Sequence, residues 1–244
     1  MKKVAQNIVF LFNDGDGFAS SVADAFYPIP NSSRHQLEES FELSLDQYGI
    51  RDVKASGSLI HFIDNHGNYQ VSVLLMEKHE PPVLVCAVAT VLSMIEEVSL
   101  GIPTLIVPAA GLTSKFKWES KTPIADDGKV ALHGVQIGPE TDVTRAITAR
   151  TQKAPSSLQI IYEPLACFLQ LVRVLKLPTA VIFGRTGPSL SNKAADEELE
   201  ILYEMGELLA NVVFLNFLRE KISWNPGNAS KDTITKEPWK ALYG

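Results

Sequence analysis

One stretch in the second half of the chain restricts the fold more than any other: a proline-opened apolar segment with a second apolar segment close behind it. Pro164 stands where the first turn of a helix tolerates a missing N–H. Behind it Leu165, Phe168, Leu169, Val172 and Leu175 recur as one stripe, and most remaining positions of 165–175 are apolar as well. The spacing predicts a helix buried nearly all round. Leu177-Pro178 ends it, and 179–183 then reads as a continuously buried strand that stops at Gly184. A strand apolar on both faces needs cover on both, so the pair dictates a layered α/β arrangement around a largely parallel sheet.

The same alternation recurs upstream. Residues 7–12 read as a buried strand running into the tight loop Asn13-Asp14-Gly15-Asp16-Gly17, and 18–26 as a helix closed by Pro28 and Pro30. At 36–48, Leu37, Phe41, Leu45 and Tyr48 recur at spacings of four, four and three, which predicts an amphipathic helix. Segments 58–64 and 69–76 flank Asn65-His66-Gly67-Asn68, a hairpin signal that adds an antiparallel part to the sheet. Next come a strand at 83–86, a helix through Glu97, and a strand at 104–107 entered by Gly101-Ile102-Pro103. From Gly111 to Gly138 the pattern dissolves into a long surface loop, in which Asp126-Asp127-Gly128 reads as a turn. A short helix over 142–152 and a strand over 158–162 lead back to Pro164.

The last helix is capped by Ser191 or Asn192. Asp196, Glu197 and Glu198 in its first turn, with Arg219 and Lys221 at its end, complement the macrodipole. Leu199, Leu202, Tyr203, Gly206, Leu209, Ala210, Val213, Phe214 and Phe217 give it a core stripe. Beyond Leu208 its other faces turn apolar through Val212, Leu215 and Leu218, so it either runs through the core or packs on another chain. The expected fold is a mixed, largely parallel sheet with helices on both faces, one domain over 1–222. A flexible polar tail follows over 223–244, broken by Asn225-Pro226-Gly227-Asn228 and Glu237-Pro238.

Composition narrows the function classes. A chain of 244 residues, 45% of them hydrophobic, has ample material for a core. Its net charge of −6, with scattered basic residues, gives a phosphate backbone no footprint, so no nucleic acid partner is expected. The longest apolar run, near 83–95, falls short of a membrane span, so no membrane partner is expected either. Cys86 and Cys167 lie in apolar runs without metal-ligand spacing, as buried thiols of a reducing compartment do. The expected location is the cytoplasm, with the nucleus also open to it.

Candidate chemistry is sparse. Asp14 and Asp16, one residue apart at the end of a strand, offer a Mg²⁺ site for phosphoryl transfer, with Asp126 and Asp127 as further ligands. The haloacid-dehalogenase signature, however, wants Thr or Val where Phe18 stands, and survival-protein phosphatases want two adjacent aspartates after the Asn. A metal-dependent phosphatase or nucleotidase is therefore the alternative reading. Gly15-x-Gly17 lacks the third glycine of a dinucleotide fingerprint. Gly184-Arg185-Thr186-Gly187 is read either as a cup for an anion or as a loop whose glycines take positive φ. His35, His61, His66, His79 and His133 have no ligand spacing and read as surface or turn residues.

The stretch 162–204, with its Pro-opened helix, Lys176-Leu177-Pro178 step, buried strand, polar loop and final helix, resembles the C-terminal part of proteasome assembly chaperone 1, in the PAC2-domain superfamily. Residues 83–122 resemble it in the order strand, helix, strand and in a Thr113-Ser114-Lys115-Phe116 loop; the remainder of 111–138 departs from it. Members of that family end in hydrophobic-Tyr-any residue, and this chain ends Leu242-Tyr243-Gly244. The resemblance implies a non-catalytic protein without cofactor. It implies pairing with a homologous proteasome assembly chaperone 2-like subunit, though a homodimer stays open, and binding to the α subunits of the 20S proteasome. Its tail would then enter a pocket between adjacent α subunits. The Gly244 carboxylate would pair with a lysine, the Tyr243 ring would pack and its hydroxyl hydrogen-bond, and burial of Leu242 would contribute about 1.5–3 kcal/mol before ordering costs. A flexible tail of about 22 residues spans about 25 Å root-mean-square. Val212, Leu215 and Leu218 are the expected subunit contact, unless they pack in the core.

Overall fold

In the computed structural model the described residues are 3–13, 15, 17–30, 32–99, 101–110, 115–118, 130–185 and 194–224. In chain order the elements are β1 (Asn7–Phe12), α1 (Phe18–Asp24), β2 (Phe26–Tyr27), β3 (Arg34–Leu45), β4 (Ile50–Asp64), β5 (Tyr69–Met76), α2 (Val83–Val98) and β6 (Thr104–Ala109). There follow β7 (Phe116–Lys117), β8 (Ala131–Ile137), α3 (Asp142–Thr148), β9 (Gln152–Lys153), β10 (Gln159–Ile160), α4 (Glu163–Leu175), β11 (Thr179–Arg185), α5 (Ala194–Val213) and β12 (Asn216–Phe217). Eight strands form one sheet in the order β3-β4-β5-β1-β6-β11-β8-β9. Its centre, β5-β1-β6-β11, is parallel, and the β3-β4-β5 meander and β8 add antiparallel pairs. The expected mixed, largely parallel α/β sheet is what the chain forms.

Successive side chains of a strand point to opposite faces, and here each face has its own core. On one side α2 and α4 bury Ile8, Phe10, Leu105, Val107, Val181 and Phe183. On the other α1, α3 and α5 bury Val9, Leu11, Ile106, Ala180 and Ile182. Neighbouring strand residues thus alternate between the two cores, which is why β1, β6 and β11 read as unbroken apolar runs.

Several expectations are corrected. The helix expected over 36–48 is the edge strand β3, followed by a single 3-10 turn at Asp46–Tyr48. Phe41 and Leu45 share a face at a spacing of four in either geometry, and pairing with the long β4 decides for strand. The strand expected at 83–86 is the first turn of α2, whose Leu84, Ala87, Val88, Val91, Leu92 and Ile95 are buried at helical spacing. Part of the expected loop 111–138 is structured as β7 and β8, while 111–114 and 119–129 lie outside the described residues. The helix expected over 142–152 stops at Thr148, and the strand expected over 158–162 shrinks to β10. α4 is buried along Leu165, Phe168, Leu169 and Val172 of the expected stripe only: Leu175, its last member, is exposed, and so is Val174, at 77%.

α5 ends at Val213, short of the expected Phe217, because Phe214 takes φ 57°. The Leu215 amide then closes onto Ala210 O at 2.8 Å, a Schellman stop. Arg219 and Lys221 therefore lie beyond the helix rather than in its last turn. The capping residues expected at 191 and 192 are outside the described residues. From Phe214 the chain turns back as a strap: β12 pairs with β2, the Leu218 amide donates to Ala25 O at 2.9 Å, and the Trp224 ring stands edge-on to Phe18 at 5.6 Å.

Candidate functional site

After β1 the chain moves to the β5 side of the sheet, and after β6 to the β11 side. The carboxyl ends of β1 and β6 therefore meet where the strand order reverses, the place at which open α/β sheets form a crevice. A shallow cleft lies there, about 360 Å³ counted to the solvent at its mouth. Leu11 and Phe12 from β1, Phe18 from α1, Val107 to Ala109 from β6 with Ala110 just beyond it, Phe116 from β7, and Tyr162 and Leu165 at the start of α4 line it.

Each wall follows from local rules. Gly17, at φ 82°, turns the chain from β1 into α1 and so brings Phe18 to the rim. The Ile161 and Tyr162 amides both donate to Lys115 O, at 2.9 and 3.0 Å, which ties β7 to the start of α4. Lys115 Nζ sits 4.8 Å above the Tyr162 ring. Phe12 meets Tyr162 and Phe168 edge to face, at 6.1 and 5.7 Å. The cleft thus offers apolar area, aromatic faces and an ammonium group, which are the means of recognition.

A second cluster lies under the β3-β4-β5 meander. His61, wholly buried, reaches Ser72 Oγ with Nδ1 at 2.8 Å and Glu39 Oε1 with Nε2 at 3.2 Å, and Tyr69 stands edge-on at 4.9 Å. A Ser-His-Glu row invites comparison with a nucleophilic triad. Ser72 is itself wholly buried and its Oγ already accepts the Ala5 amide at 2.9 Å, so the row braces the sheet. Burial pushes the His61 ring below its ordinary pKa of 6.5, and the Glu39 carboxylate opposes that shift. Sequence reading missed this cluster because its members are far apart in the chain; alternation along β3, β4 and β5 was the signal that could have found it.

The remaining expected site residues fall as follows. Leu242, Tyr243 and Gly244 lie outside the described residues, as do Asp14, Asp16, Asp126 and Asp127. Among the described residues no group of three or more His, Cys, Asp and Glu could hold a metal ion. Val212 and Leu215 are 7% and 5% exposed and belong to the core under α5, while Leu218 is half-buried in the strap. Core packing thus accounts for Val212 and Leu215, and the exposed apolar residue at that end is Phe214.

Gly184 has no positive φ: a side chain there would run into Ile201 of α5, so close packing explains it, while 186–190 are outside the described residues. Arg185 lies over the Trp118 ring at 5.3 Å, and Trp118 also meets His133 at 5.2 Å. Contrary to expectation, His61 and His133 are buried in the sheet. Cys86 and Cys167 are half-buried and free, and burial pushes the Cys167 thiol up. No helix among the described residues is long and apolar enough to cross a membrane.

None of the curated proteins matches the chain. Among solved structures it is similar to the unknown-function protein Rv2714 of Mycobacterium tuberculosis, at 10% identity over 86% of this chain and 71% of that one, TM-score 0.53. It is also similar to a protein of unknown function from Thermoplasma acidophilum, at 14% identity over 97% and 88%, TM-score 0.51. A third similarity is to the proteasome-assembly chaperone homologue Rv2125 of Mycobacterium tuberculosis, at 13% identity over 97% and 99%, TM-score 0.46. At these identities the first two show a shared fold and nothing of function. The chain belongs to the family described as Domain of unknown function (DUF7894), which matches residues 1–244.

Proposed function

We propose that this DUF7894 protein is an assembly chaperone of the 20S proteasome that works by binding, without catalysis. A single domain over 1–222 carries a tail over 223–244 whose last three residues, Leu242-Tyr243-Gly244, enter a pocket between neighbouring α subunits. The observation that carries this reading is the hydrophobic-Tyr-any ending on a chain whose stretch 162–204 resembles proteasome assembly chaperone 1. In the pocket the Gly244 carboxylate pairs with a lysine, a charge-assisted bond, while Tyr243 and Leu242 bury apolar area. A homologous subunit completes the chaperone, and the complex acts in the cytoplasm or nucleus.

The strap is consistent with such a role. It fixes the chain as far as Trp224, whose ring packs against Phe18 at the rim of the cleft. The described chain thus stops near the carboxyl edge of the sheet, at Trp224. About 20 further residues reach about 25 Å root-mean-square from there if they behave as a flexible chain.

The test is affinity purification with the C-terminus left untagged. Proteasome α subunits and a second chaperone subunit are expected to co-purify. Both are expected to persist with Phe214→Ser, and α subunits to be lost with Tyr243→Ala or when residues are appended after Gly244. Undiminished α-subunit binding in both tail variants overturns the role of the tripeptide.

A further inference from the structure

The hydrogen bonds around His61 fix its protonation state. The Ala5 amide donates to Ser72 Oγ, so the hydroxyl proton of Ser72 is free to be given elsewhere. His61 Nδ1, 2.8 Å away, is the acceptor within its reach, and Nδ1 takes that proton only when it carries none of its own. The ring proton then sits on Nε2 and is donated to Glu39 Oε1. The row is fully satisfied only by a neutral imidazole and an ionised Glu39. The groups facing the ring are Glu39 from β3, the Tyr69 ring and Ser72 from β5, and, behind Ser72, the uncharged Ala5 amide.

A proton added at Nδ1 turns that acceptor into a donor. Two N–H groups then converge on Ser72 Oγ, and its own hydroxyl proton loses its acceptor inside a site sealed from water. What Ser72 Oγ holds in turn is segment 3–6. It stays on the sheet through the Ala5 amide, the bridge from Val4 to Ser99, and Gln6 O, which accepts from the Thr104 amide at 2.7 Å. Val4 is wholly buried and plugs the core under α2.

We propose that His61 is a proton-operated latch: the neutral ring holds segment 3–6 against β5 through Ser72, and protonation of the ring lets that segment, with the Val4 plug, leave the sheet. Burial holds the ring's pKa below its ordinary value in the latched state, and release uncovers part of the ring's surroundings, so release is favoured as pH falls.

Hydrogen exchange of the full chain, followed by NMR amide by amide from pH 8 to pH 5, tests this. The protection factor of the Ala5 amide is expected to fall as pH drops, by up to about tenfold per pH unit, and to level off below the pH at which the His61 ring itself titrates. Protection of Val9 and Val73 in the central strands is expected to follow the overall stability of the fold and to fall less than that of Ala5. His61→Asn is expected to remove the pH step at Ala5, and Ser72→Ala to leave Ala5 weakly protected at every pH. Should either variant fail to fold, the wild-type profile set against the His61 ring titration still decides. A flat Ala5 profile, a fall at Ala5 no larger than that at Val9 and Val73, or a step that survives in His61→Asn overturns the latch.

Discussion

Gly57 on β4 faces Leu75 O and the Phe41 ring so closely that a methyl group has no room, and a backbone carbonyl cannot swing aside as a side-chain tip can. Gly57→Ala is expected to cost about 1–3 kcal/mol in urea unfolding, through strain in the β3-β4-β5 meander. Lys176 presents the opposite case: a lysine at φ 55°, where α4 ends with the Leu177 amide closing onto Val172 O. Lys176→Gly removes the Cβ penalty of that conformation and is expected to stabilise by about 0.5–1 kcal/mol. Burial lowers the pKa of His61, and the same cause lowers those of His79 and His133. A group whose folded pKa is depressed takes up more protons when unfolded, so its contribution is complete above about pH 6.5 and is lost as pH falls toward the folded value. The urea midpoint is expected to be level above pH 7 and to decline below 6.5, less steeply in His61→Asn.

At the scale of elements, what sequence made legible was whatever a single period could decide. The runs of β1 and β11 and the helix opened by Pro164 stood out because a doubly buried strand and a striped helix have distinct patterns. β3 did not, since Phe41 and Leu45 fit both periods, and only the partner strand β4 decides between them. The strap after α5 was hidden for a related reason: a left-handed Phe214 is not a glycine and gives no stop signal, so the helix read on to Phe217. Phe217 instead folds back against Phe26, at 5.8 Å, and onto the bare backbone of Gly206. Phe217→Ala is expected to loosen the strap at a cost of about 1–3 kcal/mol, below that of a fully buried Phe because the ring is half exposed. The expected readout is faster proteolysis after 213 with the sheet intact.

For the molecule as a whole, one sheet serves two cores, so neither can melt without stripping a face of the other's strands. Phe168→Ala under α4 and Leu209→Ala under α5, both wholly buried, are each expected to cost about 2–5 kcal/mol. Lying on opposite faces, they are expected to add to within about 0.5 kcal/mol, in a single unfolding transition. The sequence by itself determined the α/β class and the central strands, because burial on two faces is a local fact. The tertiary structure alone decided that β3 is an edge strand, that Val212 and Leu215 belong to the core, and that β1 and β6 open a cleft where the strand order reverses. It alone joined Ala5, Ser72, His61 and Glu39, because hydrogen bonds between residues up to 67 positions apart exist only once the strands have paired.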